Sequence, residues 1–263
     1  MTKHPYQTAL ITGASGGIGE ALAYEHARRG GKLIIVARSG DKLHALKHKL
    51  EQTYDVEVYC IAMDLARGGA AQELYDQIAA LPVEVDMLIN NAGFGDSGFF
   101  HEADWAKTEG MIDLNMKTLT HLTRLYLPDM IARNSGYIMN VASTASFQPG
   151  PLMAVYYATK HYVLAFSEAI ANEAGPFGVK VSALCPGPTA SGFQQTAAIE
   201  NVKLVKNNRL PSSAEVAAYG YKAMLRGRTV AIHGSLNRLM ARSVNFLPRK
   251  LVTRMVRKLQ ESA

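Results

Sequence analysis

The chain has 263 residues, 48% of them apolar and 19% charged, which is enough to bury a sizeable core and excludes disordered and collagen-like classes. No run approaches 18 uninterrupted apolar residues and Met1 to Gln7 holds no apolar signal core, so neither a membrane span nor a secretory leader is read and the expected location is cytoplasmic. Cys60 and Cys185 lie outside any CxxC or CxxH spacing and read as core thiols rather than disulfide or zinc partners. The net charge of +6 is local: residues 222–263 carry ten Lys/Arg against one acidic residue, and the preceding 221 carry 18 basic and 21 acidic. A nucleic-acid binder spreads its basic residues over a groove or recognition helix, so no nucleic-acid partner is expected.

In chain order, short β-branched or aliphatic runs alternate with helical patterns, the signature of repeated βαβ units. The run Thr8 to Thr12 leads into a helix near 17–29. Lys32 to Ala37 precedes a helix at 41–53, Val56 to Ala62 one at 69–80, and Asp86 to Asn90 one at 103–132. Gly136 to Ala142 precedes a helix at 154–174, and Val179 to Cys185 one at 212–226, before a last strand at Thr229 to His233. This predicts one α/β catalytic domain over residues 1–235, a doubly wound, seven-stranded parallel sheet with helices on both faces. Residues 236–263 are expected to form a basic, amphipathic helical extension. The loop Gly187 to Pro211 is long enough to read as a lid or binding loop.

Gly13-Ala14-Ser15-Gly16-Gly17-Ile18-Gly19 joins the first strand to the first helix. A tight turn that frees backbone N–H groups at a helix N-terminus suits a pyrophosphate. The same residues spell Gly13-x-Ser15-x-Gly17, the nucleophile elbow of α/β hydrolases, so a serine hydrolase acting through Ser15 is a competing class. Only 14 residues precede that serine, too few for the strands whose loop supplies an oxyanion hole.

Tyr156 and Lys160 stand four apart on a predicted helix, stacked about 6 Å along its axis. An ammonium beside a phenol favours phenolate, so the tyrosine pKa is expected to fall towards neutrality and let Tyr156 pass a proton to a substrate oxygen. Asn90-Asn91-Ala92-Gly93, Ser143 and Pro186-Gly187 each follow a strand C-terminus, where parallel sheets place ligands, and Asn115 falls in the intervening helix. Together these residues resemble the short-chain dehydrogenase/reductase family, in its branch with TGxxxGxG, NNAG and Ser, Tyr and Lys catalysis, over about residues 5 to 235.

The resemblance implies a Rossmann-like fold and roles residue by residue. Tyr156 is the implied general acid/base, Lys160 lowers its pKa and bonds the nicotinamide ribose, Ser143 binds the reacting oxygen, and Asn115 positions a water. Gly13, Gly17 and Gly19 are implied at the pyrophosphate, and Ser15 and Ile18 of the same turn are also expected to bind the cofactor. Asn91, Ala92 and Gly93 are placed on the adenosine side, Asp64 at the adenine, and Pro186, Gly187 and Thr189 at the nicotinamide amide. Homodimers or homotetramers through the helices near 103–132 and 154–174 are also implied.

The second strand ends Val36-Ala37-Arg38-Ser39 without a carboxylate. Arg38 can fork onto a ribose 2′-phosphate with Ser39 and Ser15 as further donors, so NADP(H) is expected. The implied reaction is hydride transfer to a carbonyl, or from a secondary alcohol, with no metal; His44 and His48, an i, i+4 pair without a third ligand, read as a solvated helix face. A nucleotide-sensing binding protein on the same fold is the alternative, and a broken catalytic set would mark it. Phe94, Phe147, Leu152, Met153 and Phe193 point to an apolar pocket for ketones, steroids or fatty-acyl groups. In the tail, Leu251, Val252, Met255, Val256 and Leu259 form a helical stripe beside basic residues, with Pro248 placed to start the helix. The stripe reads as packing on its own domain or a sister subunit, as a peripheral contact with an anionic membrane, or as a site for an acidic carrier protein.

Overall fold

A computed structural model describes residues 7–200, 202 and 210–261. Strands β1 (Thr8–Thr12), β2 (Lys32–Ala37), β3 (Val58–Ala62), β4 (Met87–Asn90), β5 (Gly136–Val141), β6 (Val179–Cys185) and β7 (Val230–Ile232) form one seven-stranded sheet in the order β3-β2-β1-β4-β5-β6-β7. Every pairing is parallel. The helices are α1 (Gly17–Ala27), α2 (Gly40–Tyr54), α3 (Ala70–Ala79), α4 (Trp105–Ile112), α5 (Leu119–Ala132), α6 (Ala154–Ala174), α7 (Phe193–Thr196), α8 (Ser213–Leu225), α9 (Ser235–Ser243) and α10 (Arg249–Gln260). Strand order reverses between β1 and β4, which places a crevice at the carboxyl ends of those strands.

Side-chain alternation along the strands builds two cores, one on each face of the sheet. Ile11, Leu33 and Ile35 pack with Leu22 of α1, Leu43, Leu46 and Leu50 of α2, and Val216 and Met224 of α8. Their neighbours Leu10, Ile34 and Val36 point the other way, to Leu74 and Ile78 of α3 and Leu122 and Met130 of α5. Each fully buried aliphatic side chain contributes about 1.5–3 kcal/mol, so the strands are fixed by burial on both sides. A capping box starts α8: Ser212 Oγ accepts from the Glu215 N–H at 3.2 Å while the Ser212 N–H donates to Glu215 Oε2 at 2.8 Å.

Two expectations change. The helix expected over 103–132 is α4, a π turn at Asp113–Thr118, and α5. Asp104 caps α4, its Oδ1 accepting from the Ala106 N–H at 2.9 Å, and the π turn lets Asn115 turn towards the strand ends, where its amide is bonded on both sides. The loop from Gly187 holds the single turn α7, and Ser213 Oγ donates to the Ala190 carbonyl at 2.9 Å, fastening it to α8; residues 201 and 203–209 of that loop lie outside the described residues. Pro248 precedes α10 as expected. Val252 and Val256 of α10 are buried with Met111, Met153, Tyr156 and Tyr157, so this part of the tail packs on its own domain.

Candidate active site

The glycine turn is braced from the neighbouring strand. Thr12 Oγ1 accepts from the N–H groups of Asn91 and Ala92, both at 3.0 Å, and Asn91 Nδ2 donates to the carbonyls of Thr12 at 2.9 Å and Gly13 at 3.1 Å. The Asn91 amide group is thus engaged in holding the turn. Gly13 and Gly17 adopt φ of +68° and +57°, the left-handed backbone that glycine tolerates. A Cβ on Gly19 would lie 2.3 Å from the Gly13 carbonyl oxygen, so Gly19 permits close packing beneath the turn rather than lining the cavity. No side chain caps α1 at Gly16, which leaves its first-turn N–H groups to an anion.

Ser15, Gly16, Gly17 and Ile18 form part of the wall of a cavity of about 500 Å³. Arg38, Ser39 and Lys42 line it at the β2–α2 turn, and all three are exposed. Lys42 escaped the sequence reading; its signal is the four-residue spacing from Arg38. Asp64 borders the same cavity while its Oδ1 accepts from the Ala66 N–H at 3.0 Å, combining a local cap with a place at the site. Asn91, Ala92 and Gly93 follow, and Ser143, Tyr156, Lys160, Pro186, Gly187 and Thr189 also line the cavity. An uncapped helix start, a basic β2 end and a continuous cleft across the strand ends are a donor set that fits a phosphorylated dinucleotide.

Helix α6 puts Tyr156 and Lys160 one turn apart. Lys160 Nζ donates to the Val141 carbonyl at 2.7 Å and lies 5.8 Å from the centre of the Tyr156 ring. Ser143 Oγ accepts from the Ala145 N–H at 3.1 Å, and the Ser143 side chain hydrogen-bonds Tyr156. Burial pushes the Tyr156 phenol above its ordinary value, against the Ser143 hydrogen bond, which draws it down. Burial also lowers the Lys160 ammonium to about 8. The expected fall of the phenol towards neutrality is therefore not found: burial outweighs the lowering effect of Ser143, and the Lys160 ammonium gives its hydrogen bond to the Val141 carbonyl. A buried, protonated phenol next to a serine hydroxyl can give a proton to a third oxygen.

Asn115 is 1% exposed and stands behind the cavity wall. Its Oδ1 accepts from the Phe94 N–H at 3.2 Å, and its Nδ2 donates to the Phe94 carbonyl at 3.0 Å and to Thr159 Oγ1 at 3.1 Å. It therefore ties the loop after β4 to α6, one residue before Lys160.

Of the apolar residues expected at the pocket, Phe94, Met153 and Phe193 line it, and the Phe193 ring centre is 5.3 Å from that of Tyr156. Phe147 packs instead in a cluster with Tyr162 and Phe166, and Leu152 borders a neighbouring cavity. Leu114, Tyr157, Ile199 and Gln260 also line the site. Gln260 Nε2 donates to the Tyr157 hydroxyl at 2.6 Å, a contact between residues 103 apart that no local pattern signals. Among the described residues no histidine lines the cavity, so none of them offers Ser15 the base that a serine nucleophile needs.

The short chain dehydrogenase family model matches residues 7–201. The very-long-chain 3-oxoacyl-CoA reductase of Mus musculus is 32% identical over 250 residues, covering 90% of this chain and 77% of the relative. A short-chain dehydrogenase from Sphingobium yanoikuyae, solved in complex with NADPH, has a TM-score of 0.82 at 30% identity, covering 91% of this chain and 94% of its own. The bulky-bulky ketone specific alcohol dehydrogenase from Comamonas testosteroni has a TM-score of 0.78 at 28% identity, with 91% and 92% covered. A parallel Rossmann-like sheet carrying serine, tyrosine and lysine at its carboxyl edge is an oxidoreductase scaffold. The chain belongs to the short-chain dehydrogenase/reductase family.

Proposed function

We propose that the protein reduces the carbonyl group of an apolar substrate, or oxidises the corresponding secondary alcohol, with NADP(H). The observation that carries this reading is the convergence of Ser143, Tyr156 and Lys160 on a cavity that reaches Arg38. When bound, a nicotinamide would supply or accept the hydride. Tyr156 gives its hydroxyl proton to the substrate oxygen, and the Ser143 hydroxyl donates a hydrogen bond to that oxygen. Lys160 keeps positive charge beside the phenol and offers its ammonium to the ribose. Asn115 is a positioning residue, holding the Phe94 backbone against α6. The intact set favours turnover over the nucleotide-sensing alternative.

The turn residues Gly13, Ser15, Gly17 and Ile18 hold the pyrophosphate at the start of α1, Asp64 and the Asn91–Gly93 loop flank the adenosine, and Pro186, Gly187 and Thr189 meet the nicotinamide amide. Arg38, with Ser39 and Lys42, supports the 2′-phosphate of NADP over the hydroxyl of NAD, since no carboxylate stands at the end of β2. Phe94, Met153, Tyr157 and Phe193 support an apolar ketone or fatty-acyl substrate, in keeping with the name of the mouse relative. The protein works as a homo-oligomer in the cytoplasm, the 63% exposure of Trp105 at the start of α4 supporting a subunit contact there. NADPH consumption with a panel of ketones and 3-oxoacyl thioesters tests the reading. Turnover that rises with chain length supports it, and no turnover with any carbonyl compound rejects it.

A further inference from the structure

We propose that α9 and α10 form a docking surface for an anionic phospholipid bilayer. Eight of the twelve exposed large apolar side chains among the described residues fall between Leu236 and Leu259. Scattered exposed apolar residues are ordinary, but such concentration in two helices and their connection marks an interaction surface.

Helical periodicity divides the tail's apolar residues between two tasks. Val252, Val256 and Gln260 of α10 are buried against the domain. Leu251, Met255 and Leu259, spaced four apart, are 46%, 50% and 45% exposed. On α9, Leu236, Leu239 and Met240 share a face at i, i+3 and i+4 and are likewise exposed, and Phe246 between the helices is 88% exposed.

Charge identifies the occupant. Residues 235–261 contain seven Lys/Arg and a single acidic residue, Glu261, and Glu261 is paired with Arg257 at 3.3 Å. Arg238, Arg242, Arg249, Lys250, Arg254 and Lys258 form no ion pair among the described residues. A second copy brought face to face would set cation against cation, whereas an anionic headgroup layer meets both the charges and the apolar stripe. Long basic side chains keep their heads in the headgroup layer while their stems cover apolar surface. The inner face of α10 supplies Gln260 to the cavity wall, so a bilayer on its outer face lies about one helix diameter, roughly 10 Å, from the site. A lipid-dissolved substrate then has a short path to it.

Co-sedimentation of the full chain with phosphatidylglycerol-containing vesicles and with pure phosphatidylcholine vesicles tests the surface. The expected result is binding to the anionic vesicles that weakens more than about ten-fold from low to high salt, with negligible binding to the neutral ones. Phe246→Glu with Met255→Glu, and separately Arg254→Glu with Lys258→Glu, should each reduce binding by about ten-fold or more while circular dichroism is unchanged. Equal binding to both vesicle types, salt-insensitive binding or no binding overturns the proposal. So does dissociation of an oligomer by the Phe246/Met255 variant, read by light scattering without lipid, because the face would then be a subunit contact. No readout here needs turnover, so the outcome is independent of the reductase reading.

Discussion

Gln260 on the last turn of α10 donates from Nε2 to the hydroxyl of Tyr157 at 2.6 Å, joining the end of the chain to the residue beside Tyr156. Loss of one such buried hydrogen bond is worth about 1 kcal/mol, or about five-fold in an equilibrium. Gln260→Ala should therefore raise KM for a long apolar ketone by about five-fold and leave NADPH affinity unchanged. Steady-state kinetics with short and long ketones measure the difference.

At the β2–α2 turn, Arg38→Asp should reverse the cofactor preference, because a carboxylate repels a 2′-phosphate and accepts from a 2′-hydroxyl. NADPH affinity should fall by about ten-fold to a hundred-fold, the worth of one charge-assisted hydrogen bond. Lys42→Ala should weaken NADPH in the same direction and leave NADH unaffected. Dissociation constants from fluorescence titration decide it.

Two of the turn's four glycines separate packing from binding. A Cβ at Gly19 collides with the Gly13 carbonyl, whereas one at Gly16 meets nothing within 4 Å and projects at the cavity wall. Gly19→Ala should lower the melting temperature and NADPH affinity together. Gly16→Ala should keep the melting temperature and weaken only NADPH, as thermal denaturation with and without nucleotide will read.

Lys160 has a folded-state pKa of about 8, lowered by burial from the ordinary lysine value of 10.5. Between those values the unfolded chain binds more protons than the folded one, so this group makes stability rise with pH across that window, and below about 8 its burial cost is fully present. Lys160→Met should therefore raise the melting temperature at pH 7, lose that advantage towards pH 10, and abolish turnover. In the wild-type protein, kcat/KM for reduction should decline as pH rises through about 8, where the ammonium in the free enzyme is lost.

The ends of β1, β2, β6 and α6 were legible because apolar runs bounded by glycine and proline specify them locally. The gathering of Ser143, Tyr156 and Lys160 on one cavity wall was legible too, since they meet whenever β5 and α6 are adjacent. The π turn around Asn115 was not, because one extra residue in a turn leaves apolar spacing almost unchanged; the side-chain bonds to Phe94 and Thr159 decide it. Nor was the division of the tail stripe: Val252 and Leu251 differ only in which faces the domain. The raised Tyr156 pKa escaped because residue spacing reports charge proximity and not desolvation.

Single-turnover reduction by Tyr156→Phe tests the central claim most directly, with NADPH binding measured on the same protein. The exchange keeps the ring packed among Met153, Tyr157 and Phe193 and removes only the proton. The account predicts wild-type NADPH affinity and a hydride-transfer rate lower by about 10²- to 10⁴-fold, the usual contribution of a positioned general acid. Near wild-type rates with a ketone that the parent enzyme turns over would contradict it.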